Sequence, residues 1–438
     1  MNKVMLKYIF VFILSFLFSF VFFYVFQSIY CDEVWVYGFS YNISKGMIIY
    51  RDFNVLQMPL YFFIASLFIK IFGNYLIVNH ILNSLLFSTM IVMLFKIINW
   101  KVLILLPVFI FFWPSGYNLL CLFFLILIIY LIHKKKDKDW LIAFIIGLCF
   151  ITKQNMGIFL FVPCFLYSKK KLKSICSFLI PFLILSIYLI YNDAFYQFID
   201  YCFLGMIDFG GENSYYDNRF LILFVINIII LLYWLFKAKW KDKELFYILM
   251  FQLLMYPIFD IRHYICSTFA MFYLILKRIN KKNILILIGV LIYYLSFILL
   301  YMFPPSINLN KDFDYLRNSG DLNLLANKVK EYVGDNNNFF FTDYYNYYIK
   351  LYYDIPIGQY DLLLSGNVGY KGMEDKLNEL TKLCSVEKCY FFSKTEDLNE
   401  EEGILMIQFS DLYFYIRENY KKVDKMFEFD IYTNDIEE

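Results

Sequence analysis

The chain is poor in the residues from which metal and redox sites are usually built. It has three histidines among 438 residues, and its nine cysteines include no Cys-x-x-Cys pair and no cluster with histidine. A histidine-rich metal site is therefore not expected, because such a site needs several of these ligands close together. The C-terminal part also contains no glycine-rich phosphate-binding loop, which argues against a P-loop nucleotide-binding domain there.

Six of the nine cysteines are informative by position. Four of them, Cys121, Cys149, Cys164 and Cys176, lie within apolar runs, where a free cysteine usually behaves as a small buried hydrophobic residue. Cys384 and Cys389 form the one close pair near the C-terminus. This pair leaves two alternatives open, a disulfide or two free thiols.

Apolar side chains are in excess, and the charges are segregated along the chain. Hydrophobic residues make up 61% of the sequence, whereas soluble domains are roughly half apolar. Residues 310–438 carry 25 acidic and 14 basic side chains, and the residues before them carry 13 acidic and 26 basic. We therefore predict two units, a basic membrane domain over 1–304 and a separate acidic domain over 305–438.

The N-terminus predicts a retained membrane span rather than a cleaved signal peptide. Lys3 and Lys7 precede an apolar run from Tyr8 to Ile29. A run of this length is sufficient to cross a bilayer, and it is longer than the apolar core of a typical signal peptide. No small-x-small cleavage pattern follows it.

Apolar runs separated by short polar breaks predict a polytopic α-helical membrane protein with about eleven transmembrane helices. The predicted spans are 8–29, 75–98, 101–113, 117–133, 139–152, 156–168, 174–191, 219–236, 244–258, 264–277 and 283–303.

Every second break between these spans is basic. The six basic breaks hold 20 of the 26 basic residues before position 310: Lys3/Lys7, Lys96/Lys101, Lys134–Lys136/Lys138, Lys169–Lys171/Lys173, Lys237/Lys239/Lys241/Lys243 and Lys277/Arg278/Lys281/Lys282. Cytoplasmic loops of membrane proteins are enriched in lysine and arginine. The pattern therefore predicts a cell-membrane protein with a cytoplasmic N-terminus and an extracytoplasmic C-terminal domain.

The C-terminal domain is predicted to have a small α/β fold. Apolar and aromatic runs over 338–342 and 388–392 predict buried strands. Amphipathic periodicity predicts helices over 321–333, 372–383 and 410–420. Alternation of helix and strand over such a length is typical of a small α/β domain.

The first external connection, 30–74, contains the most informative polar residues. Asp32 and Glu33 lie where the first span leaves the bilayer, and carboxylates that face lipid are costly. They therefore face an active-site cavity, a partner or, in the simplest alternative, bulk water at a helix end.

The segment from Pro59 to Gly73 is apolar but short. Counting it as a span would move every later break to the opposite side of the membrane and so disagree with the charge pattern. We predict that it lies along the membrane surface.

This connection resembles the first external loop of the GT-C superfamily of membrane glycosyltransferases. It is most similar to the family 39 branch, which includes protein mannosyltransferases and aminoarabinose transferases. The resemblance covers about 45 residues in sequence and extends to the predicted eleven-span layout. The residues that carry it are Asp32-Glu33, Gly46, Tyr50-Arg51-Asp52-Phe53, Met58-Pro59-Leu60-Tyr61-Phe62 and Phe72-Gly73.

The resemblance implies a polyprenyl-phosphate sugar as donor and Asp32 as the catalytic general base. A carboxylate within hydrogen-bond reach can accept the proton of the attacking acceptor hydroxyl, and a single displacement would invert the anomeric configuration. Glu33 would orient Asp32 or the acceptor. Asp52 is the best second carboxylate, for acceptor binding or for a divalent cation, and Arg51 is either a substrate contact or its partner.

The phosphate leaving group needs positive charge at the outer interface. Four basic residues on that side are candidates: Lys153, Arg219, Arg262 and His263. Lys153 interrupts an otherwise acidic pattern, and its alternative is a snorkelling interfacial lysine. Asp260 and His263 are spaced for a local ion pair or for a substrate contact. No acidic metal cluster is apparent, so a divalent cation is not required by the sequence.

Three other functions compete with the transferase. A flippase or transporter of lipid-linked sugars would favour mid-span ionisable residues and internal repeats, neither of which is clear. A polysaccharide polymerase or ligase would depend on basic residues of an external loop, and the last alternative is a non-catalytic scaffold. The acceptor could be a glycan, a lipid or a protein, and no nucleic-acid partner is expected.

Overall fold

The computed structural model describes most of the chain, with the largest gap just before the C-terminal sheet. The described residues are 3–26, 31–109, 114, 116–136, 138–208, 218–256, 258–259, 261–278, 319–342, 345–361, 363, 367–394, 410–427 and 429–434. The predicted eleventh span, 283–303, lies outside these residues.

The N-terminal part of the described chain is helical almost throughout. Its α-helices are α1 Lys3–Phe26, α2 Cys31–Ser44, α3 Leu60–Phe72, α4 Ile77–Ile98, α5 Gly116–His133, α6 Asp139–Phe150, α7 Gln154–Tyr167, α8 Lys171–Tyr191, α9 Phe195–Ile199, α10 Asn218–Lys237, α11 Lys243–Gln252 and α12 Ile261–Arg278. Two 3₁₀ segments, Asn99–Phe109 and Leu253–Met255, and one π-helical turn, Asp200–Leu204, complete it.

Among the described residues, five helical stretches are long and apolar enough to cross a membrane. They are Val4–Val21, Ile77–Val108, Gly116–His133, Lys171–Tyr191 and Phe220–Lys237. Large apolar side chains along α8 and α10 are exposed, such as Ile187 at 68% and Phe236 at 74%. Exposed apolar surface on this scale fits contact with lipid rather than with water. The fold is that of a mainly helical membrane protein.

The predicted spans 75–98 and 101–113 correspond to one helix followed by a 3₁₀ segment that folds back on it. Helix α4 ends at Asn99, which has a left-handed φ of 52°. Residues Asn99–Phe109 then run as a 3₁₀ helix beside α4 and α12. A 3₁₀ helix rises about 2 Å per residue, so this short segment extends further than an α-helix of equal length.

Two glycines allow the helices α6, α7 and α8 to pack closely. A Cβ added to Gly157 of α7 would lie 2.3 Å from the Cα of Phe150, and one added to Gly147 of α6 would lie 2.3 Å from the Phe178 carbonyl oxygen of α8. No real Cβ tolerates such contacts, so any side chain at these positions would separate the helices.

All six basic breaks meet at one end of the helical bundle, which we call the basic end. The described residues cover the first five breaks except Asp137, and the sixth through Arg278. Residues within these breaks, or close to them in sequence, make contacts that join each break to at least one other break. The contacts join Lys96 to Tyr8 and Tyr130, Lys101 to Leu276, Lys173 to Trp140, Tyr167 to Trp240, and Arg278 to Asp242. The alternation of charge along the sequence thus corresponds to an alternation of helix direction.

The intervening connections meet at the opposite end, which we call the α2 end. Contacts there join Leu60 to Ile151, Asn155 to Tyr256, Arg51 to Asn192, and Gln154 to Cys202. Helix α3 remains at this end. Its first N–H donates to Ile151, and Asn74, just after its last turn, accepts from Tyr37 of α2. Both ends of α3 therefore lie at the α2 end, and the prediction that 59–73 lies along the membrane surface stays a prediction.

The C-terminal part contains a four-stranded mixed sheet with helices on both faces. Its elements are α13 Ser319–Val333, β1 Phe339–Phe341, α14 Tyr345–Tyr352, α15 Met373–Val386, β2 Tyr390–Lys394, α16 Ser410–Asn419, β3 Lys421–Met426 and β4 Phe429–Thr433. The strand order is β1-β2-β4-β3, with β1 parallel to β2 and the other pairs antiparallel. The two predicted strands and three predicted helices are confirmed. Helix α14 and the β3–β4 hairpin were not predicted.

Alternate strand residues face the two helical layers. Phe339 and Phe341 of β1 pack with α13 and α14, whereas Phe340 packs with residues of α15 and α16. A disulfide joins Cys384 at the end of α15 to Cys389 before β2, which settles the alternative that the sequence left open.

A buried ion pair fixes the segment that follows α14. The Lys350 Nζ lies 2.7 Å from both carboxylate oxygens of Asp361. The Asp361 carboxylate also accepts from the Asn346 side chain at 2.6 Å and from the Gly358 N–H at 2.6 Å. Its side chain is fully buried, so its charge depends on these donors.

Removing the Asp361 carboxylate should destabilise the C-terminal sheet strongly. We expect Asp361→Ala to cost roughly 3–5 kcal/mol, because it leaves the Lys350 ammonium buried without its counter-ion. Thermal unfolding of the purified chain measures this loss. The matched control, Asp335→Ala, removes a fully exposed carboxylate 3.7 Å from Lys330, and it should change stability by no more than about 0.5 kcal/mol. Equal effects of the two substitutions would contradict this account.

Candidate functional site

Helix α2 is the best-enclosed element at the α2 end. Its residues 34–42 are all buried, although its sequence mixes aromatic, polar and small side chains. Gly38 lies against Ile357 of the C-terminal part, whose terminal carbon would be 2.1 Å from an added Cβ. Asp32 and Glu33 are the second and third residues of this helix, and their side chains lie outside the described atoms.

An aromatic contact connects the first turn of α2 to Lys153. Trp35, one turn after Asp32, has its ring centroid 6.2 Å from that of Tyr117 at the start of α5. The Lys153 Nζ lies 5.6 Å from the Tyr117 ring centroid and donates to the Asn118 side-chain oxygen at 3.0 Å. Tyr117 therefore links the predicted cation to Trp35 in the helix that carries the predicted base.

Lys153 is held in position by its local backbone. It is the N-cap residue of α7, with extended backbone angles, and its N–H donates to Cys149 at 2.9 Å. Its neighbour Gln154 is buried and donates to the Cys202 carbonyl at 2.9 Å. A lysine fixed at the junction of two apolar helices, with its ammonium over an aromatic face, is well placed to meet an anionic group.

A second polar group lies beside this contact and was not predicted. The Tyr61 hydroxyl of α3 lies 2.6 Å from the Asn79 side-chain oxygen and 2.8 Å from that of Asn83, both on α4. An added Cβ at Gly116 would lie 2.0 Å from the Tyr61 ring, so the start of α5 packs directly on it. The available signal was the pair of asparagines one turn apart in a mainly apolar helix.

Arg51 and Asp52 form an ion pair with each other. The Arg51 Nε and Nη2 donate to the two carboxylate oxygens of Asp52 at 2.8 and 3.1 Å, and the Ile48 N–H donates at 2.7 Å. Partial burial raises the pKa of Asp52, but these hydrogen bonds from Arg51 and Ile48 outweigh it and the pKa lies below its usual value. The contacts favour the alternative in which Arg51 is the partner of Asp52, and a role of either in substrate binding stays a prediction.

The remaining predicted cations lie at the starts of two neighbouring helices. Arg219 is the second residue of α10 and Arg262 the second of α12, and their side chains lie outside the described atoms, as does all of Asp260. The two helices contact each other through Phe220 and Tyr264, whose rings are 5.3 Å apart. His263 is buried.

The C-terminal part docks on α2 and on the segment after it through two asparagines. The Asn42 side chain donates to the Ile357 carbonyl at 2.7 Å and accepts from the Ile357 N–H at 3.0 Å. Asn367 in turn accepts from the Leu56 N–H at 2.9 Å. An amide side chain carries the same kinds of donor and acceptor as a peptide group. Each of these asparagines therefore forms hydrogen bonds with backbone groups, as a residue of a neighbouring strand would.

Asp354 forms a second attachment at the other side of α2. Its carboxylate accepts from the Lys45 ammonium at 2.8 Å, from the Asn74 amide at 3.0 Å, and from the Tyr41 hydroxyl. Hydrogen bonds from Lys45 and Tyr41 hold the pKa of Asp354 below its usual value. A carboxyl of this kind loses its stabilising contribution only as the pH falls through that lowered pKa, so the attachment is intact at neutral pH.

A third attachment joins the C-terminal part to the π-helical turn. The Tyr370 N–H donates to the Asp200 carboxylate at 3.0 Å, and the Lys371 N–H donates to the Asp208 carboxylate at 2.6 Å. Gly369 has a left-handed φ of 91°, and an added Cβ would lie 2.0 Å from Asp200. All three attachments lie at the α2 end, so the C-terminal part and the predicted external connection 30–74 share one side of the bundle.

Neither metal ligands nor relatives add to this picture. Within the described ranges, no three His, Cys, Asp or Glu side chains come together to hold a metal ion. Comparison of the chain with protein-family models, with curated proteins and with solved structures finds no match.

Loss of the Asn42 amide should loosen the C-terminal part from α2. We expect Asn42→Ala to leave the Ile357 N–H and carbonyl without partners, at a cost of roughly 1–3 kcal/mol for each buried group. Hydrogen exchange at the Ile357 amide should become faster, while the amides of β4 keep their protection.

The matched control is Asn419→Ala, because Asn419 is exposed and donates to Tyr415 within its own helix. This variant should leave exchange at Ile357 unchanged. Unaltered exchange in Asn42→Ala would show that the asparagine does not hold the two parts together.

Proposed function

We propose that the chain is a membrane glycosyltransferase of the GT-C type, which transfers a sugar from a polyprenyl-phosphate donor to an envelope acceptor on the outer face of the cell membrane. The observation that carries the proposal is the contact from Trp35 through Tyr117 to Lys153. It links the Lys153 ammonium to Trp35, which lies one turn after Asp32 in the helix that begins Cys31-Asp32-Glu33. Acceptor activation and leaving-group stabilisation require these two charges close together.

In the proposed reaction, Asp32 accepts the proton of the acceptor hydroxyl as its oxygen attacks the anomeric carbon. The bond between that carbon and the phosphate oxygen breaks, and the polyprenyl phosphate leaves with the electron pair. Lys153 stabilises the charge that develops on the phosphate. Glu33 orients Asp32 or the acceptor. Attack from the face opposite the leaving group inverts the anomeric configuration.

The proposed topology has eleven spans, a cytoplasmic N-terminus and an extracytoplasmic C-terminal domain. The meeting of the lysine-rich breaks at one end supports it, because that end then faces the cytoplasm by the positive-inside rule. The Cys384–Cys389 disulfide supports an oxidising compartment for the C-terminal domain. A lipid-linked donor would reach the α2 end from within the membrane, alongside the exposed apolar residues of α3 such as Leu67 and Ile71.

Asp32→Asn tests the proposal most simply. We expect transfer from polyprenyl-phosphate sugars to fall by at least about 100-fold, because the amide cannot accept the acceptor proton. Sugar transfer by the purified chain in lipid measures this. Expression and thermal stability should be retained, since the substitution keeps the size of the side chain. Lys153→Met should also reduce transfer, because it removes the cation and keeps the apolar stem.

Asp335→Asn is the control, since Asp335 is fully exposed in the turn before β1, and its transfer activity should match that of the unmodified chain. Full activity of Asp32→Asn together with loss of activity in Lys153→Met would reject Asp32 as general base. That outcome would favour the polymerase or ligase alternative, which depends on basic residues.

A further inference from the structure

A surface groove lies at the basic end, far from the α2 end. It is formed where α10 ends and the chain turns toward α11, and its volume is about 650 Å³. Its lining consists of three aromatic residues and two lysines: Tyr233, Phe236, Lys237, Lys239 and Trp240. The aromatic side chains are unusually open, with Tyr233 exposed to 61% and Phe236 to 74%. The groove therefore combines an apolar wall with a cationic rim.

The turn that forms the groove has a backbone conformation that is unfavourable for its residues. Lys239 and Trp240 are consecutive and both left-handed, with φ of 51° and 58°. A bulky residue rarely adopts this conformation without compensation. The Trp240 carbonyl accepts from the Tyr167 hydroxyl at 2.6 Å, and its ring packs edge-on against Phe246. These contacts hold the Trp240 ring at the groove, where it remains 48% exposed.

The nearby carboxylates are already occupied by other cations. Asp242 caps α11 by accepting from the Leu245 N–H, and it binds Arg278 at 2.9 Å. Glu244 binds Lys277 and accepts from the Tyr273 hydroxyl. Within the part of the chain that the structure describes, no carboxylate pairs with Lys237 or Lys239. The two ammonium groups at the rim are thus available to an external anion.

We propose that this groove binds one anionic phospholipid of the adjoining leaflet. Its phosphate would lie between Lys237 and Lys239, and an acyl chain would lie along Tyr233 and Phe236. A lipid fits better than a soluble anion because the groove lies at the end of α10, which is long and apolar enough to span the membrane. Aromatic rings and lysines at such a helix end are the side chains that contact lipid headgroups. This proposal is independent of the proposed transferase activity.

Native mass spectrometry of the full chain, titrated with phosphatidylglycerol in detergent, tests the site. The chain should retain one phosphatidylglycerol more tightly than phosphatidylcholine. Lys237→Gln combined with Lys239→Gln should weaken the binding of that lipid roughly 30-fold, since each lysine near a headgroup contributes roughly a fivefold difference. Both lysines are exposed, so the variant should fold normally.

The matched control is Lys134→Gln combined with Lys135→Gln, which removes the same charge from another exposed turn at the basic end. This control should bind phosphatidylglycerol as the unmodified chain does. An equal loss in both double variants would mean that total surface charge, and not the groove, attracts the lipid. That result, or equal retention of the two lipids by the unmodified chain, would overturn the proposal.

Discussion

Enclosure of α2 is the constraint on which the arrangement of the α2 end depends. This helix is buried between the membrane bundle on one side and the C-terminal part on the other, and neither contact alone covers it. The paired hydrogen bonds of Asn42 with Ile357 close the outer side, while Trp35 and Tyr117 pack on the inner side. Because a short isolated helix is marginal in water, its position is set by these tertiary contacts, and so is the position of Asp32.

The surroundings of Lys153 explain why this lysine suits an anionic ligand. A charge at the edge of an apolar bundle interacts more strongly with an opposite charge than it would in water, because the effective dielectric is lower. The Tyr117 ring and the Asn118 oxygen help to hold the ammonium in place. Arg51 is bound to the carboxylate of Asp52, the next residue in the sequence.

The sequence predicted features with a strong local signal and missed those that depend on distant contacts. Lysines in every second break predicted which connections meet, and aromatic runs predicted β1 and β2. The strand β3 was missed because its residues are mostly charged and face solvent, as edge strands often do. Helix α2 was missed because a helix buried all round lacks amphipathic periodicity. Lys153 was singled out by its isolation among acidic breaks, but Trp35 and Tyr117 belong to helices far away in sequence.

The central claim is that the α2 end, with Asp32 and the C-terminal part, faces away from the cytoplasm. Labelling of introduced cysteines with a membrane-impermeant maleimide tests it directly, in a background where the exposed Cys176 is replaced by serine. Cysteines at the exposed positions Tyr75 and Glu374 should react in intact cells, whereas one at Lys135 should react only after permeabilisation. Labelling of Lys135→Cys in intact cells, with Tyr75→Cys and Glu374→Cys protected, would contradict the account.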